Sequence, residues 1–273
     1  MIIRQASAII YETAPDGRAP CRIADEILMG YRIDVISDTN ATVAHIKTEY
    51  GYEGFIFKCA FCEENAKYSA LPKLVVRGRF CDVLPIPDHR YPAYITLPKG
   101  ARVGLFGETE EYYRVLLPNN REGYAKKIYL STDMPINYKN GYSDFPDSTS
   151  EIRNAVIASA KEYLGTPYRW GGKSTSGIDC SGLCFMAYYL NGITIWRDAN
   201  VDTKYTLKIP YDIVKPADLL YFPGHVGMCL GNGQFIHASS AGGGVCINSL
   251  TPGADNYSEY HKIRLECAGR VLK

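Results

Sequence analysis

The chain has 273 residues, of which 46% are hydrophobic, and a formal net charge of +1. This length can bury one sizeable core and still form one or two small domains. The nearly neutral charge gives no reason to expect nucleic acid or a charged membrane as a partner, and no apolar run has transmembrane length. Nine cysteines cannot all pair internally, which is compatible with a free thiol in a reducing compartment.

The N-terminus reads Met-Ile-Ile-Arg-Gln-Ala-Ser-Ala and has neither a long apolar core nor the layout of a signal peptide. We therefore expect a cytoplasmic protein, with an exported protein from which a signal has been trimmed as the alternative, and we favour a monomer.

An internal repeat occupies the first half of the chain. Met-Gly-Tyr-Arg-Ile-Asp-Val around Gly30 precedes Tyr-Glu-Gly-Phe-Ile-Phe-Lys, and Lys-Gly-Ala-Arg-Val-Gly-Leu around Gly100 precedes Arg-Glu-Gly-Tyr-Ala-Lys-Lys. The spacing from Gly30 to Gly54 is 24 positions, and the spacing from Gly100 to Gly123 is 23. Short alternating strands between turn residues, occurring twice, predict two small β-barrels in tandem.

A segment rich in Gly, Pro, Asp and Ser follows the repeat and is typical of a linker. The next apolar pattern predicts a helix from about Glu151 to Leu164 that is capped by Ser150. The predicted segments are a first barrel at 1–66, a second barrel at 67–135, a linker at 136–150 and an α+β domain at 151–273.

The segment Gly-Gly-Lys-Ser-Thr-Ser-Gly-Ile-Asp-Cys-Ser-Gly places Cys180 between a glycine-rich turn and an apolar stretch. The stretch ends at Asn191 and Gly192, so the pattern predicts a buried helix with Cys180 at its N-terminus. The unpaired N–H groups and the positive dipole end there favour a thiolate, which is a strong nucleophile. A buried cysteine taken alone is more often inert packing, and we keep that interpretation for Cys184.

Two histidines, His225 and His237, lie in apolar runs on either side of a Gly-Asn-Gly segment that predicts a hairpin. A three-residue loop with Leu230 opposite Gln234 puts both imidazoles on one face, whereas a two-residue loop puts them on opposite faces. Gly233 can supply the left-handed residue that the longer loop needs. We therefore expect the three-residue loop and neighbouring imidazoles.

The second half of the chain contains five ordered motifs: Tyr-Leu-Gly-Thr-Pro-Tyr-Arg-Trp-Gly-Gly from Tyr163, Asp-Cys-Ser-Gly from Asp179, Pro-Ala-Asp-Leu-Leu-Tyr-Phe from Pro216, His-Val-Gly-Met from His225 and Phe-Ile-His-Ala-Ser from Phe235. Together they resemble the motifs of the NlpC/P60 cysteine peptidases. The resemblance implies a papain-like fold in which Cys180 is the nucleophile, His225 is the general base and then the acid, and His237 orients the His225 ring. It also implies a murein peptide as substrate, and the two repeat halves resemble bacterial SH3-like domains.

The domain order is similar to that of one subgroup, the γ-D-glutamyl-L-diamino acid endopeptidases, which act on murein peptides with a free N-terminal L-alanine. The resemblance implies that the first barrel closes the cleft and that Tyr52 and Asp198 bind the substrate ammonium, which is costly to bury unpaired. Two neighbours of Asp198 depart from the subgroup. Trp196 stands where proline is usual, and Ala199 stands where serine is frequent.

The resemblance places four further residues along the cleft, namely Tyr168, Trp170, Asp179 and Ser181. Tyr168 would help to hold the oxyanion beside the Cys180 backbone N–H, and Ser181 would donate to a substrate carboxylate. An acid beside a thiolate is electrostatically unfavourable, so we expect Asp179 to bind substrate or backbone amides. Helix capping is the alternative for this aspartate.

The expected reaction is attack of the Cys180 thiolate on the γ-amide carbonyl of D-glutamate, followed by hydrolysis of the thioester, with no metal or organic cofactor. The alternatives are an exported murein-binding lytic endopeptidase and a Cys-His acyltransferase or amidase. No residue obviously distinguishes meso-diaminopimelate from lysine as the diamino acid.

Other cysteines and histidines have weaker patterns around them. Cys59 and Cys62 form a CxxC, a possible redox pair or half of a zinc site, but no second CxxC accompanies it. His45, His89 and His261 lie in no motif, and we expect them to be surface or structural residues.

Overall fold

The computed structural model describes residues 1–132 and 150–273. Its contacts divide the chain into two compact units, Met1–Met134 and Pro135–Lys273. The predicted linker therefore lies outside the described residues, apart from Ser150. Among the helices of the described part, none is long and apolar enough to span a membrane.

The first half of the N-terminal unit consists of short antiparallel strands. Five of them form a sheet in the order β3-β2-β6-β5-β4, and β1 pairs with β7. The strands are β1 (Ile2–Ile3), β2 (Ser7–Tyr11), β3 (Ile23–Leu28), β4 (Ile33–Asp38), β5 (Val43–Thr48), β6 (Glu53–Phe57) and β7 (Phe61–Cys62).

The second half of this unit follows a short helix, α1 (Ala66–Ala70), which Asn65 caps. It forms a sheet in the order β13-β12-β11-β8-β14 and a separate β9-β10 pair. The strands are β8 (Lys73–Val76), β9 (Phe80–Val83), β10 (Ile95–Pro98), β11 (Arg102–Glu108), β12 (Tyr112–Leu116), β13 (Glu122–Lys126) and β14 (Leu130–Ser131).

The two halves repeat the same local features. Gly30 and Gly100 both have a left-handed backbone, with φ of 81° and 90°. Gly54 in β6 and Gly123 in β13 both lie so close to a neighbouring strand that a Cβ would approach one of its side chains to 2.5 Å. Each of these strands is followed by a 3₁₀ turn and a two-residue strand. The repeat found in the sequence is thus a repeat of backbone conformation.

Closed SH3-like barrels are not confirmed. In the described residues β3 and β4 remain at the ends of one sheet, and β13 and β14 at the ends of the other. Arg102 of the second half forms a buried ion pair of 2.8 Å with Glu49 of the first half. Both halves belong to one compact unit, and the division at residue 66 stays a prediction.

The C-terminal unit packs helices against one antiparallel sheet with the strand order β17-β22-β18-β19-β20-β21. Helix α3 contacts α2, β19 and β20. The elements are α2 (Ser150–Lys161), β15 (Lys173–Ser174), β16 (Gly177–Ile178), α3 (Cys180–Tyr189), β17 (Leu207–Ile209), β18 (Leu219–Phe222), β19 (His225–Gly231), β20 (Gln234–Ser239), β21 (Gly244–Ser249), α4 (Glu259–Arg264) and β22 (Cys267–Arg270).

The predicted cysteine helix is confirmed. Helix α3 begins at Cys180, is buried along its whole length, and is followed by Gly192 with φ of 84°. Helix α2 begins at Ser150 and ends at Lys161, three residues before the predicted end.

The hairpin of β19 and β20 differs from the prediction at its tip. Gly231 rather than Leu230 lies opposite Gln234, and the loop has two residues, Asn232 and Gly233, with φ of 51° and 72°. Two successive positive φ values are typical of a type I′ turn. A β-bulge at Leu230 restores the predicted register in the rest of the hairpin. The predicted loop length is wrong, and the predicted face is correct because the bulge compensates for the shorter loop.

A buried ion network joins α2 to the sheet. The Asp218 carboxylate is fully buried and lies 3.0 Å from Nη1 of Arg153 and 2.8 Å from Nη2 of Arg270. Arg153 also donates to the backbone carbonyls of Pro216 and Leu272. One carboxylate therefore pairs with two arginines that hold a helix, a loop and the C-terminal segment together.

Asp218→Ala should lower the free energy of unfolding of the C-terminal unit by about 3–5 kcal/mol, because it removes the carboxylate that pairs with the buried Arg153 and the half-buried Arg270. Both tryptophans, Trp170 and Trp196, lie in this unit, so their fluorescence during denaturant unfolding reports on it. The exposed Asp212→Ala should change this free energy by less than about 0.5 kcal/mol. Equal, small effects of the two substitutions would contradict the network's role.

Candidate active site

Cys180 is the first residue of α3 and is only 6% exposed. The backbone N–H groups of Ser181 and Val226 donate to its sulfur. Because Val226 directly follows His225, the second contact places the thiol beside the start of β19, next to the first of the two predicted histidines.

Glycines allow the preceding loop to pass directly over the start of α3. A Cβ on Gly182 would overlap the carbonyl oxygen of Gly172, and a Cβ on Gly172 would overlap that of Gly177. The glycines of the sequence motif are therefore required by close backbone contacts, which position the chain on both sides of Cys180.

A buried ion pair fixes the same region. Arg197 is 2% exposed, and its Nη1 and Nη2 lie 3.0 Å and 3.2 Å from the two carboxylate oxygens of Asp179. Asp179 also accepts from the backbone N–H of Gly171 at 2.7 Å and of Gly182 at 2.6 Å, the second bond being the helix cap. Arg197 donates further to the Ser181 hydroxyl at 2.8 Å.

These contacts bear on two predicted substrate residues. Both carboxylate oxygens of Asp179 and the hydroxyl oxygen of Ser181 already have partners within the chain. The geometry favours the alternative for Asp179, which is helix capping, together with binding of a backbone amide. Arg197 was not identified from the sequence, since nothing in the local pattern indicates that it is buried.

The two histidines meet as predicted. Nε2 of His225 lies 2.8 Å from Nδ1 of His237, and Nε2 of His237 lies 2.9 Å from Oδ1 of Asn248 on β21. Asn248 uses its Nδ2 to donate to the backbone carbonyl of Asn256 at 3.2 Å. Three neighbouring strands thus supply a continuous hydrogen-bonded chain, whose third member was missed in the sequence.

The hydrogen bonds from His225 through His237 to Asn248 determine which ring nitrogens carry protons. Because Nδ2 of Asn248 is used as a donor elsewhere, its Oδ1 faces His237 and requires a proton on Nε2 of that ring. Nδ1 of His237 is then an acceptor, and His225 must donate from Nε2. This leaves a lone pair on Nδ1 of His225, which is the atom of this ring that can accept a thiol proton.

Burial sets the charge state of these groups. It lowers the pKa of His225 to about 3, with His237 and His261 acting in the same direction, and it lowers the pKa of His237 to about 4 against the effect of the hydrogen bond that His237 donates to Asn248. Burial raises the pKa of Cys180 to about 11, and the Asp179 charge adds to the rise. The resting pair is therefore a neutral thiol and a neutral imidazole. The backbone N–H of Ser181 at the helix N-terminus lowers the pKa of Cys180, which is the predicted direction, but burial raises this pKa by more.

His261, expected to be surface or structural, lies against both histidines. It is half-buried, and its ring centroid is 5.6 Å from that of His225 and 4.8 Å from that of His237. Its Nδ1 is 2.7 Å from the hydroxyl oxygen of Ser258, the residue that caps α4. Burial lowers the pKa of His261. No spacing in the sequence relates it to the hairpin, so only the fold could reveal it.

A cavity of about 480 Å³ opens beside His225 and His261. Two predicted cleft residues line it, Tyr168 and the largely exposed Trp170. Burial, together with the charges of Cys180 and Asp179, raises the pKa of Tyr168 to about 12, so its hydroxyl stays a donor at neutral pH. The other lining residues include Phe222, His225, Ser239, Ser258, Tyr260 and His261.

The remaining two predicted substrate residues, Asp198 and Tyr52, lie in different units of the chain. Asp198 is half-buried and follows Arg197, but it is not among the residues that line the cavity. Tyr52 lies in the N-terminal unit, in the turn before β6, where its backbone N–H donates to the hydroxyl of Thr48 at 2.9 Å. A role in binding substrate stays a prediction for both residues.

The cysteines of the CxxC are free. Cys59 is exposed and Cys62 is half-buried, and none of the nine cysteines is in a disulfide. Within residues 1–132 and 150–273, the one cluster with three potential metal ligands consists of histidines and does not include this pair.

Sequence comparison relates this chain to a known family of proteins. Residues 165–264 match the model of the NlpC/P60 family. The chain is 35% identical over 236 residues to dipeptidyl-peptidase 6 of Lysinibacillus sphaericus, with 84% of each chain covered. It is 26% identical over 250 residues to a γ-D-glutamyl-L-lysine dipeptidyl-peptidase of Bacillus cereus, with 85% of this chain and 72% of the relative covered.

A solved structure supports the same fold. The crystal structure of an NlpC/P60 family protein from Bacillus cereus superposes with a TM-score of 0.77 at 23% identity, covering 100% of this chain and 99% of that one. The C-terminal unit accordingly has the papain-like NlpC/P60 fold within a mixed α/β chain. The length over which the Lysinibacillus relative aligns shows that the chain belongs to the NlpC/P60 family of cysteine peptidases.

Proposed function

We propose that the protein hydrolyses the γ-D-glutamyl-L-diamino acid bond of murein peptides with a free N-terminal L-alanine and releases L-Ala-D-Glu, in cytoplasmic recycling of cell-wall peptides. The observation that carries the proposal is the Cys180 thiol, which accepts from the backbone N–H of Val226, the residue after His225, together with the hydrogen bonds that run from His225 through His237 to Asn248. The substrate class is supported by the names of the relatives that align over most of the chain.

Acylation begins with a neutral pair. As Sγ of Cys180 attacks the γ-amide carbonyl carbon, its proton passes to Nδ1 of His225, and the carbonyl π electrons move to the oxygen. The backbone N–H of Cys180 and the hydroxyl of Tyr168 are the donors proposed for that oxyanion. The His225 imidazolium keeps its Nε2 proton, and the lone pair of His237 Nδ1 stabilises the new charge.

Collapse of the tetrahedral intermediate breaks the carbon–nitrogen bond. His225 returns its Nδ1 proton to the leaving amine of the diamino acid, and a thioester to Cys180 remains. Water then attacks the thioester while His225 accepts one of its protons, and that proton finally restores the thiol. No net proton moves along the chain to Asn248, so His237 and Asn248 act by positioning His225 and stabilising its charge.

Selection for a free N-terminus is assigned in this proposal to Tyr52 and Asp198, as the family resemblance implies. The hydroxyl of one and the carboxylate of the other would accept from the L-alanine ammonium, a group that is costly to bury without acceptors. The SH3-like identity of the two repeat halves belongs to the same proposal.

Cleavage of L-Ala-γ-D-Glu-meso-diaminopimelate should exceed that of its N-acetylated form by at least about 100-fold in kcat/KM, since a site built for a polar group rejects analogues that lack it. Product release is measured by chromatography, with Cys180→Ala as the blank and the L-lysine peptide run in parallel. Asp198→Asn should lower kcat/KM on the free peptide, whereas the exposed Asp212→Asn should not.

Two other outcomes of this cleavage assay would contradict the proposal. Equal cleavage of both peptides would contradict the free-amine specificity and indicate an open-cleft lytic endopeptidase. Cleavage of neither peptide by the wild-type enzyme would contradict the proposed substrate and favour the acyltransferase or amidase alternative.

The raised pKa of the Cys180 thiol predicts how alkylation depends on pH. Only the thiolate reacts with iodoacetamide, so the rate at Cys180 should rise about tenfold per pH unit from pH 6 to 9. Mass spectrometry of the Cys180 peptide separates this reaction from that of the exposed Cys59. A rate that is already constant below pH 7 would indicate a thiolate–imidazolium pair in the resting enzyme, which is the state that the helix dipole alone would favour.

Asn248→Leu removes the acceptor that fixes the His237 tautomer, and we expect kcat to fall about 10–100-fold. Asn248→Asp keeps an oxygen at this place and should lose less. KM should change little in either variant, because Asn248 does not line the cavity. Equal losses in the two variants, or a fall in thermal stability that parallels the loss of activity, would contradict a positioning role.

A further inference from the structure

Three histidine rings meet beside the cavity. One ring nitrogen from each of His225, His237 and His261 lies within 4.8 Å of one from each of the others. The first two rings come from adjacent strands and the third from α4. The mechanism above uses two of these rings and gives no role to His261.

The hydrogen bonds to Asn248 and Ser258 each occupy one ring nitrogen, of His237 and of His261, and leave the other nitrogen of each ring outside those bonds. Nε2 of His237 is bound to Asn248, and Nδ1 of His261 is bound to the hydroxyl of Ser258. The remaining atoms of these two rings are Nδ1 of His237 and Nε2 of His261, and Nε2 of His225 lies 2.8 Å from the first of them. A ring whose other nitrogen is bound to a protein oxygen is the usual arrangement of a metal-binding histidine, because the outer bond fixes the tautomer and the ring orientation.

We propose that His225, His237 and His261 form an inhibitory site for a transition-metal ion of the Zn²⁺ class. Imidazole nitrogens suit Zn²⁺, Cu²⁺ and Ni²⁺, and three histidines with one open position are a known coordination set for zinc. The cavity beside His225 and His261 supplies an entry path and room for water at the open position. Hard cations such as Ca²⁺ and Mg²⁺ prefer oxygen ligands and do not fit this set.

The required movement is small. Two nitrogens bound to tetrahedral zinc at about 2.0–2.1 Å are about 3.3 Å apart, against 2.8 Å between His225 and His237 here. The His261 ring must approach by roughly 1.5 Å to reach that separation from its present limit of 4.8 Å. His261 is half-buried on a six-residue helix, so it is the ring best placed to move.

Metal binding blocks the general base. The metal takes the lone pair of His225 Nε2, and the proton held there passes through solvent to Nδ1 of the same ring, which remains neutral. Nδ1 then carries a proton and has no lone pair for the thiol of Cys180. The enzyme is inhibited without any change to the cysteine, and removal of the metal restores the original tautomer.

Binding is tested with ZnCl₂ by titration calorimetry on a Cys180→Ala, Cys59→Ser background, which removes the nucleophile and one thiol of the CxxC. We expect one saturating Zn²⁺ whose affinity falls at least tenfold when His261→Gln is added. His89→Gln, which changes an exposed histidine of the other unit, is the matched control and should leave the affinity unchanged. CaCl₂ and MgCl₂ should give no binding.

Two results of the calorimetry overturn the proposal: no saturable zinc binding, or equal affinity with and without His261→Gln. Inhibition, which rests on the proposed function, is measured with the unsubstituted enzyme and its peptide. Zinc should abolish cleavage, EDTA should restore it, and His261→Gln should need at least tenfold more zinc, each variant being compared with its own metal-free rate. Zinc binding without inhibition would refute the inhibitory role. A metal-free enzyme that does not cleave the peptide contradicts the proposed function and leaves the calorimetric test intact.

Discussion

The start of α3 depends on one buried cation. Arg197 lies inside the C-terminal unit and can remain charged there only if acceptors surround it. Asp179, the Ser181 hydroxyl and the carbonyls of Gly171 and Gly172 supply them. Satisfying this one guanidinium therefore fixes the helix cap, the first helical turn and the glycine loop together. The nucleophile lies between two of these anchored residues, so its position follows from an interaction in which it takes no part.

Much of the C-terminal unit could be predicted from sequence signals that act over a few residues. An aspartate before a small, apolar helix and glycine after it mark both ends of α3, and these signals act over a few residues. Local signals also predicted that His225 and His237 share a face of the hairpin. That prediction is correct, but it assumed a three-residue loop, whereas the hairpin has a two-residue loop and a bulge. Loop length and register are separate quantities once a bulge intervenes, and a bulge such as the one at Leu230 has no reliable signature in a single sequence.

The residues that were missed share a different property. Arg197, Asn248 and His261 each acquire their role from elements that meet only in the folded chain. Burial is likewise collective, which is why the sequence indicated a dipole favouring the thiolate but could not show the desolvation that opposes it. The first half of the chain illustrates the same limit, since repeated glycines revealed a repeated backbone conformation without determining how its sheets would close.

Because of the bulge in β19, the geometry of the site depends more on the number of residues between His225 and His237 than on the identity of those residues. The bulge and the two-residue turn each shift the pairing by one position, and only their sum keeps both imidazoles on one face. Deletion of one residue from the strand could preserve the turn, the sheet and every catalytic side chain. It would still direct His237 to the opposite face of the sheet. Insertions and deletions here should therefore be tolerated by the fold far more readily than by the chemistry, and families built on this hairpin should vary its side chains before its spacing.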